Sequence, residues 1–120
     1  MKPFIDNTSF GNITIAGVKY EHDVIIRLDG CVKKRKKKLS KARFGTSHKI
    51  AIEEARYIYD SGAQKLIIGS GQTGYVELSD EAKNFFIEKN CLVQLLPTPH
   101  AISEWNLAKG SVIAMFHVTC

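Results

Sequence analysis

LIIGSGQTG, residues 66–74, decides the reading of the fold. Leu66, Ile67 and Ile68 are consecutive apolar residues, the mark of a strand covered on both faces. They run into Gly69, Gly71 and Gly74, spaced as the dinucleotide fingerprint G-x-G-x-x-G. That fingerprint requires the glycines themselves to open a helix, and an acid to end the next strand. Here Tyr75-Val76-Glu77-Leu78 separates Gly74 from the next helix start at Ser79, and the next strand ends in Leu95-Leu96-Pro97. No lysine follows the glycines as a phosphate loop demands. The stretch is therefore read as a buried strand and a turn, not as a nucleotide site.

Working outward, helices alternate with strands. Ile52, Ala55, Ile58 and Tyr59 recur at helical spacing, with Glu53, Glu54, Arg56 and Asp60 turned away and Gly62 as the stop. Ser79 caps a second helix, with Asp80 and Glu81 in its first turn and Ala82, Phe85 and Phe86 as its apolar stripe. A strand at 91–96 follows. Thr98-Pro99 reads as cap and first residue of a third helix, with Ala101, Trp105 and Ala108 inward. A last strand spans Val112 to Val118. Like LII, the runs CLVQLL and VIAMF lack alternation. On the N-terminal side, residues 18–29 alternate with period two as one half-buried strand, with Lys19, Glu21, Asp23, Arg27 and Asp29 on its polar face, and Asp29-Gly30 turns it into a hairpin. The expected fold is α/β: a compact three-layer domain with a central mixed or parallel sheet, helices, and an N-terminal antiparallel hairpin layer.

The chain has 120 residues, 44% hydrophobic and 24% charged, and a net charge of +5. This is ordinary for one globular domain spanning 1–120. No apolar run reaches the roughly 20 residues of a membrane span, and the N-terminus lacks a signal-like apolar core. A cytoplasmic protein is expected. Three scattered cysteines, Cys31, Cys91 and Cys120, do not suggest a disulfide framework. The charge is local. Residues 33–49 hold nine Lys or Arg and no acid, whereas the rest carries eight basic and twelve acidic residues. The run KKRKKK reads as an exposed edge strand or loop that draws an acidic small molecule or protein partner. Nucleic acid is disfavoured, because Phe44 is the only aromatic interleaved for stacking.

Helix starts and strand ends collect at one edge of an α/β layer, where amide groups attract anions. The ligand-binding candidates there are Thr46, Ser47, His48, Gly69, Ser70, Gly71 and Thr73. Arg43, His117, Thr119 and Cys120 are further contributors, the last three if the final strand is parallel. His22 reads as a half-buried histidine and His100 as solvated. His117 and Cys120, three apart on an extended strand, point to opposite faces, so no metal site and no cofactor are expected. The negative charge expected beside the Cys120 thiol disfavours its thiolate. Paired carboxylates and a nucleophile–base motif are lacking, which favours binding over catalysis. The alternative is a small enzyme or metabolite-binding protein acting on a phosphorylated or carboxylate ligand at the same edge.

Three stretches in order, Gly45-Thr46-Ser47-His48, Ile68-Gly69-Ser70-Gly71 and His117-Val118-Thr119-Cys120, carry a family resemblance. The chain resembles the small domain family named after the methanobacterial protein MTH nine-three-eight, or domain of unknown function four-nine-eight, most of all its archaeal and bacterial members. The resemblance implies a compact α/β domain with a mixed sheet and an N-terminal β layer. It implies no reaction and no catalytic residue. Eukaryotic relatives, associated with adipocyte differentiation and complex I assembly, suggest an assembly or adaptor role.

Overall fold

A computed structural model describes residues 2–120. In chain order the first elements are β1 (Ile5–Ser9), β2 (Asn12–Ile15), β3 (Val18–Tyr20), β4 (Val24–Ile26), β5 (Val32–Lys34) and α1 (Lys38–Phe44). Next come β6 (Lys49–Ile50), α2 (Ile52–Ile58), β7 (Lys65–Ser70), β8 (Glu77–Leu78) and α3 (Asp80–Glu88). The last are β9 (Leu92–Leu96), α4 (Thr98–Leu107) and β10 (Val112–His117).

The main sheet is mixed, in the order β5-β4-β10-β7-β9. Its centre, β10, is parallel to β7 and antiparallel to β4. Successive side chains of these strands go to opposite faces, and both faces are covered. Ile25, Leu66, Ile68, Ile113 and Met115 pack with α2 and α3. Val24, Ile26, Ile67, Val112, Ala114 and Phe116 pack with α4 and with Ile5, Ile13 and Ile15 of the antiparallel meander β1-β2-β3. Hence LII and VIAMF show no alternation: there is no wet face for a polar residue to occupy. Trp105 fills the α4 side, and its indole N–H donates to the Pro3 carbonyl at 2.8 Å. The compact α/β fold, the mixed sheet and the N-terminal β layer agree with expectation.

Six local readings need correction. The run 18–29 is two strands, because the chain leaves the meander after Tyr20 and enters the main sheet at Val24. Asp23, assigned to the wet face, is buried at the crossing. KKRKKK is not uniformly exposed: β5 is the edge strand, but Arg35 turns inward, and the following residues wind into α1. Glu54 also faces inward, towards Arg35. Thr98 does not cap α4; Pro97 holds that position and Thr98 is buried against the strand ends. Finally, CLVQLL lacks alternation for a different reason. β9 is the other edge of the sheet, and Leu92 and Leu95 are exposed on it. The cap at Ser79 is as expected, with its side chain accepting from the Ala82 amide.

Candidate functional site at the strand ends

β7 and β10 run parallel and end side by side, Gly69 opposite Phe116 and Ser70 opposite His117. The glycine loop therefore meets residues 117–120. A Cβ on Gly69 would lie 2.7 Å from the Phe116 ring and 2.9 Å from the Thr98 hydroxyl. A Cβ on Gly71 would lie 2.2 Å from the main-chain carbon of Cys120, and its φ is +109°. Both glycines are required by close approach, and Gly71 also by its backbone conformation. What approaches is the protein's own chain. The Gln72 amide donates to Thr119 O at 2.7 Å, and the Thr73 hydroxyl donates to Cys120 O at 2.8 Å. The Gly71 amide donates to the Thr98 hydroxyl at 3.0 Å, which in turn donates to His117 O at 2.6 Å. The loop donors expected to await an anion are engaged inside the chain.

Beneath the loop lies a buried polar network. Arg35, with a fully buried side chain, donates from Nη1 to Asp23 Oδ2 at 2.9 Å, from Nη2 to Glu54 Oε1 at 3.0 Å, and from Nη2 to Ser47 O at 2.7 Å. Its Nε donates to the second oxygen of Glu54, and the Ser40 hydroxyl completes that carboxylate's partners. Asp23 Oδ1 accepts from the Val118 amide at 2.9 Å. His117 Nδ1 lies 2.6 Å from Asp23 Oδ2; an ionised carboxylate only accepts, so this nitrogen carries the proton. Burial pushes the Asp23 carboxyl up, but the hydrogen bond and charge of His117, the Val118 amide and Arg35 outweigh it and hold it down at about 2. While His117 is neutral, one cation against two carboxylates leaves this network short of positive charge beside it.

His117 Nε2 points outward, with the Thr119 hydroxyl 3.1 Å away. The His48 ring stands edge-on to that of His117, centroids 5.5 Å apart, and Tyr75 flanks it at 6.2 Å. Cys120 Sγ lies 3.9 Å from His48 Nε2. The placement of His117 and Cys120 on opposite faces is thereby corrected. β10 ends at His117, and period two ends with it. Residues 118–120 follow the loop instead and bring the thiol back under the imidazoles.

Of the predicted residues, His48, Gly71, Thr73, His117, Thr119 and Cys120 converge here. Ser47 is buried and contributes its carbonyl to Arg35; Thr46 Oγ1 accepts from the His48 amide at 3.1 Å. Gly69 and Ser70 are buried supports. Arg43 is not brought in: it is exposed on α1 and pairs with Glu53 at 2.8 Å. His100 is exposed on α4, and His22 is half-buried with Nδ1 at 2.9 Å from Asp23 O. Sequence reasoning missed Asp23, Arg35, Ser40 and Glu54. One signal existed: Arg35 is the lone arginine in a lysine run, and arginine is the side chain suited to two-pronged pairing with carboxylates.

Comparison with known proteins places this geometry. A conserved hypothetical protein of Pyrococcus horikoshii is 33% identical, with both chains covered completely and a TM-score of 0.87. The structure named MT938 is also 33% identical, covering 99% of this chain and 100% of its own, with a TM-score of 0.82. A Bordetella pertussis protein, described as an Mth938-like domain, shares the fold at 13% identity, with 97% and 85% coverage and a TM-score of 0.65. No curated protein matches the chain. The model of the family described as protein of unknown function (DUF498/DUF598) matches residues 5–117. With its strands, glycine loop and buried network inside the matched region, the chain belongs to the DUF498/DUF598 family, whose structures include the Mth938-like domains.

Proposed function

We propose that the protein is an interaction domain that docks an acidic protein segment on its basic edge. The observation that carries this reading is a groove of about 620 Å³ lined by Val32, Lys33, Lys34, Arg35, Lys36, Lys37, Lys38 and Tyr57. No carboxylate lines it. Arg35 spends its charge inward on Asp23 and Glu54, whereas none of the five lysines makes a salt bridge among the described residues. Lys36 and Arg27 hold the Tyr57 ring, at 4.5 and 5.1 Å. Lysines that only prevented edge pairing would not need an aromatic floor. One aromatic does not make a base-stacking series, so an acidic peptide fits better than nucleic acid. An assembly or adaptor role accords with such a surface.

The test is titration with hexaglutamate at low salt. The protein should bind, and Lys36→Gln, Lys37→Gln, Lys38→Gln together should weaken binding at least about tenfold, or ~1.4 kcal/mol. Equal binding by the variant, or tighter binding of a single-stranded oligonucleotide, would overturn the reading.

A second reading, a small phosphate or carboxylate ligand at the strand ends, is supported by a cavity of about 240 Å³. His22, Asp23, Lys34, Lys37 and Thr119 line it. Millimolar phosphate should then shift the amides of residues 21–23, 34–35, 37 and 118–119, which line that cavity. Unmoved amides would exclude it.

A further inference from the structure

From the ligand geometry we infer that His48, His117 and Cys120 form a binding site for one divalent transition-metal ion of the zinc class. One ligand atom from each lies within 4.8 Å of the other two. Around a tetrahedral zinc, bond lengths of about 2.0–2.3 Å put sulfur and nitrogen ligands roughly 3.4–3.6 Å apart. The 3.9 Å between Cys120 Sγ and His48 Nε2 needs only a small contraction. The donor set, two imidazoles and a thiol, suits a borderline-soft cation and disfavours magnesium or calcium.

Three further features are those of a built site. Asp23 fixes His117 through Nδ1, leaving Nε2 as the lone-pair nitrogen aimed at the cluster. A carboxylate behind a histidine in this way orients metal ligands and raises their basicity. Cys120 is held by its backbone, since its main-chain oxygen accepts from the Thr73 hydroxyl at 2.8 Å and the Thr73 amide at 3.2 Å. The buried network behind His117 has two carboxylates for one guanidinium, so a cation in front of it completes the charge balance. On binding, the Cys120 S–H bond breaks, its proton goes to solvent, and the thiolate pair forms the metal–sulfur bond. Three protein ligands leave a fourth position for water or an exogenous ligand, the arrangement of reactive rather than closed zinc sites. The Thr119 hydroxyl, 3.1 Å from Nε2, gives up that hydrogen bond when Nε2 takes the metal. None of this depends on the basic groove.

The experiment is cobalt(II) titration of the chelator-stripped, reduced full chain. The account expects one equivalent to bind, with a thiolate-to-cobalt charge-transfer band and the visible bands of four-coordinate cobalt. Cys120→Ser should abolish the charge-transfer band. Cys120→Ser and His48→Gln should each weaken binding by at least the roughly 10–100-fold that loss of an outer-shell partner costs. Both side chains are partly exposed, so the fold should survive, which circular dichroism checks. Cys31→Ser should change nothing. Absence of the charge-transfer band in the wild-type protein would overturn the proposal, as would an undiminished band and affinity in both variants.

Discussion

At the residue scale, Asp23 stands where the chain passes from the meander to the main sheet and ties that crossing to the end of β10. It receives His117, Arg35 and the Val118 amide, and its carboxyl is held at about 2 against an ordinary 3.8. A depressed acid stabilises the fold above its unfolded value, and that stability is lost as pH falls through the folded value. In chelated protein, Asp23 should contribute ~2 kcal/mol that disappears between about pH 4 and pH 2. Asp23→Asn should remove this slope in urea denaturation followed against pH. Gly71 is a second test. With φ at +109° and Cys120 backbone in the space of a Cβ, Gly71→Ala should cost about 2–4 kcal/mol. A bulkier residue there would disturb the fold before it reported on any ligand. Among the thiols, burial pushes Cys91 up to about 11, and Cys31 is exposed. Maleimide at pH 8 should label Cys31 in the native protein and Cys91 only after denaturation.

At the element scale, β5 and its continuation join opposite roles in adjacent residues. Lys36, Lys37 and Lys38 are exposed, and each change to glutamine should alter stability by less than about 0.5 kcal/mol. Arg35→Met should cost about 3–5 kcal/mol, because it leaves Asp23 and Glu54 buried without their cation; chemical denaturation of the two variants makes the contrast. What was legible beforehand follows from this difference. Hydrophobic period and caps placed β7, β10, α2 and α3 because local burial determines them. Ser79 capped as read, since a cap needs only its own turn. Arg35, Glu54 and Asp23 looked like solvated charges, because a charge is buried only when partners distant in sequence arrive, here 19 and 12 residues away from Arg35. Likewise CLVQLL carries no mark of edge or centre. Strand order is fixed by the crossing of α4 to β10, not by the strand's own residues. The convergence at the strand ends was legible as a location. Its internal geometry was not, because the alternation rule was carried past the end of β10.

At the scale of the whole molecule, two buried clusters lie on either face of the main sheet and supply its core. Chelator with reductant should leave a cooperative thermal transition, and excess zinc should raise its midpoint by mass action. Among the described residues no helix is long and apolar enough to cross a membrane. Two surfaces among the described residues are compared as places for a partner. One is the free edge of β9, with exposed Leu92 and Leu95 beside Ile87. The other is the lysine groove with Tyr57. The proposed docking of an acidic segment rests on the second, because a local excess of lysine acts before contact and raises the encounter rate of such a segment. The most direct measurement is an amide chemical-shift map of the isotope-labelled protein titrated with unlabelled hexaglutamate at low salt. The account predicts shifts confined to residues 32–38 and Tyr57, weakening as salt is added. Shifts centred on Leu92–Leu96 or on residues 69–74, or no shifts at all, would contradict it.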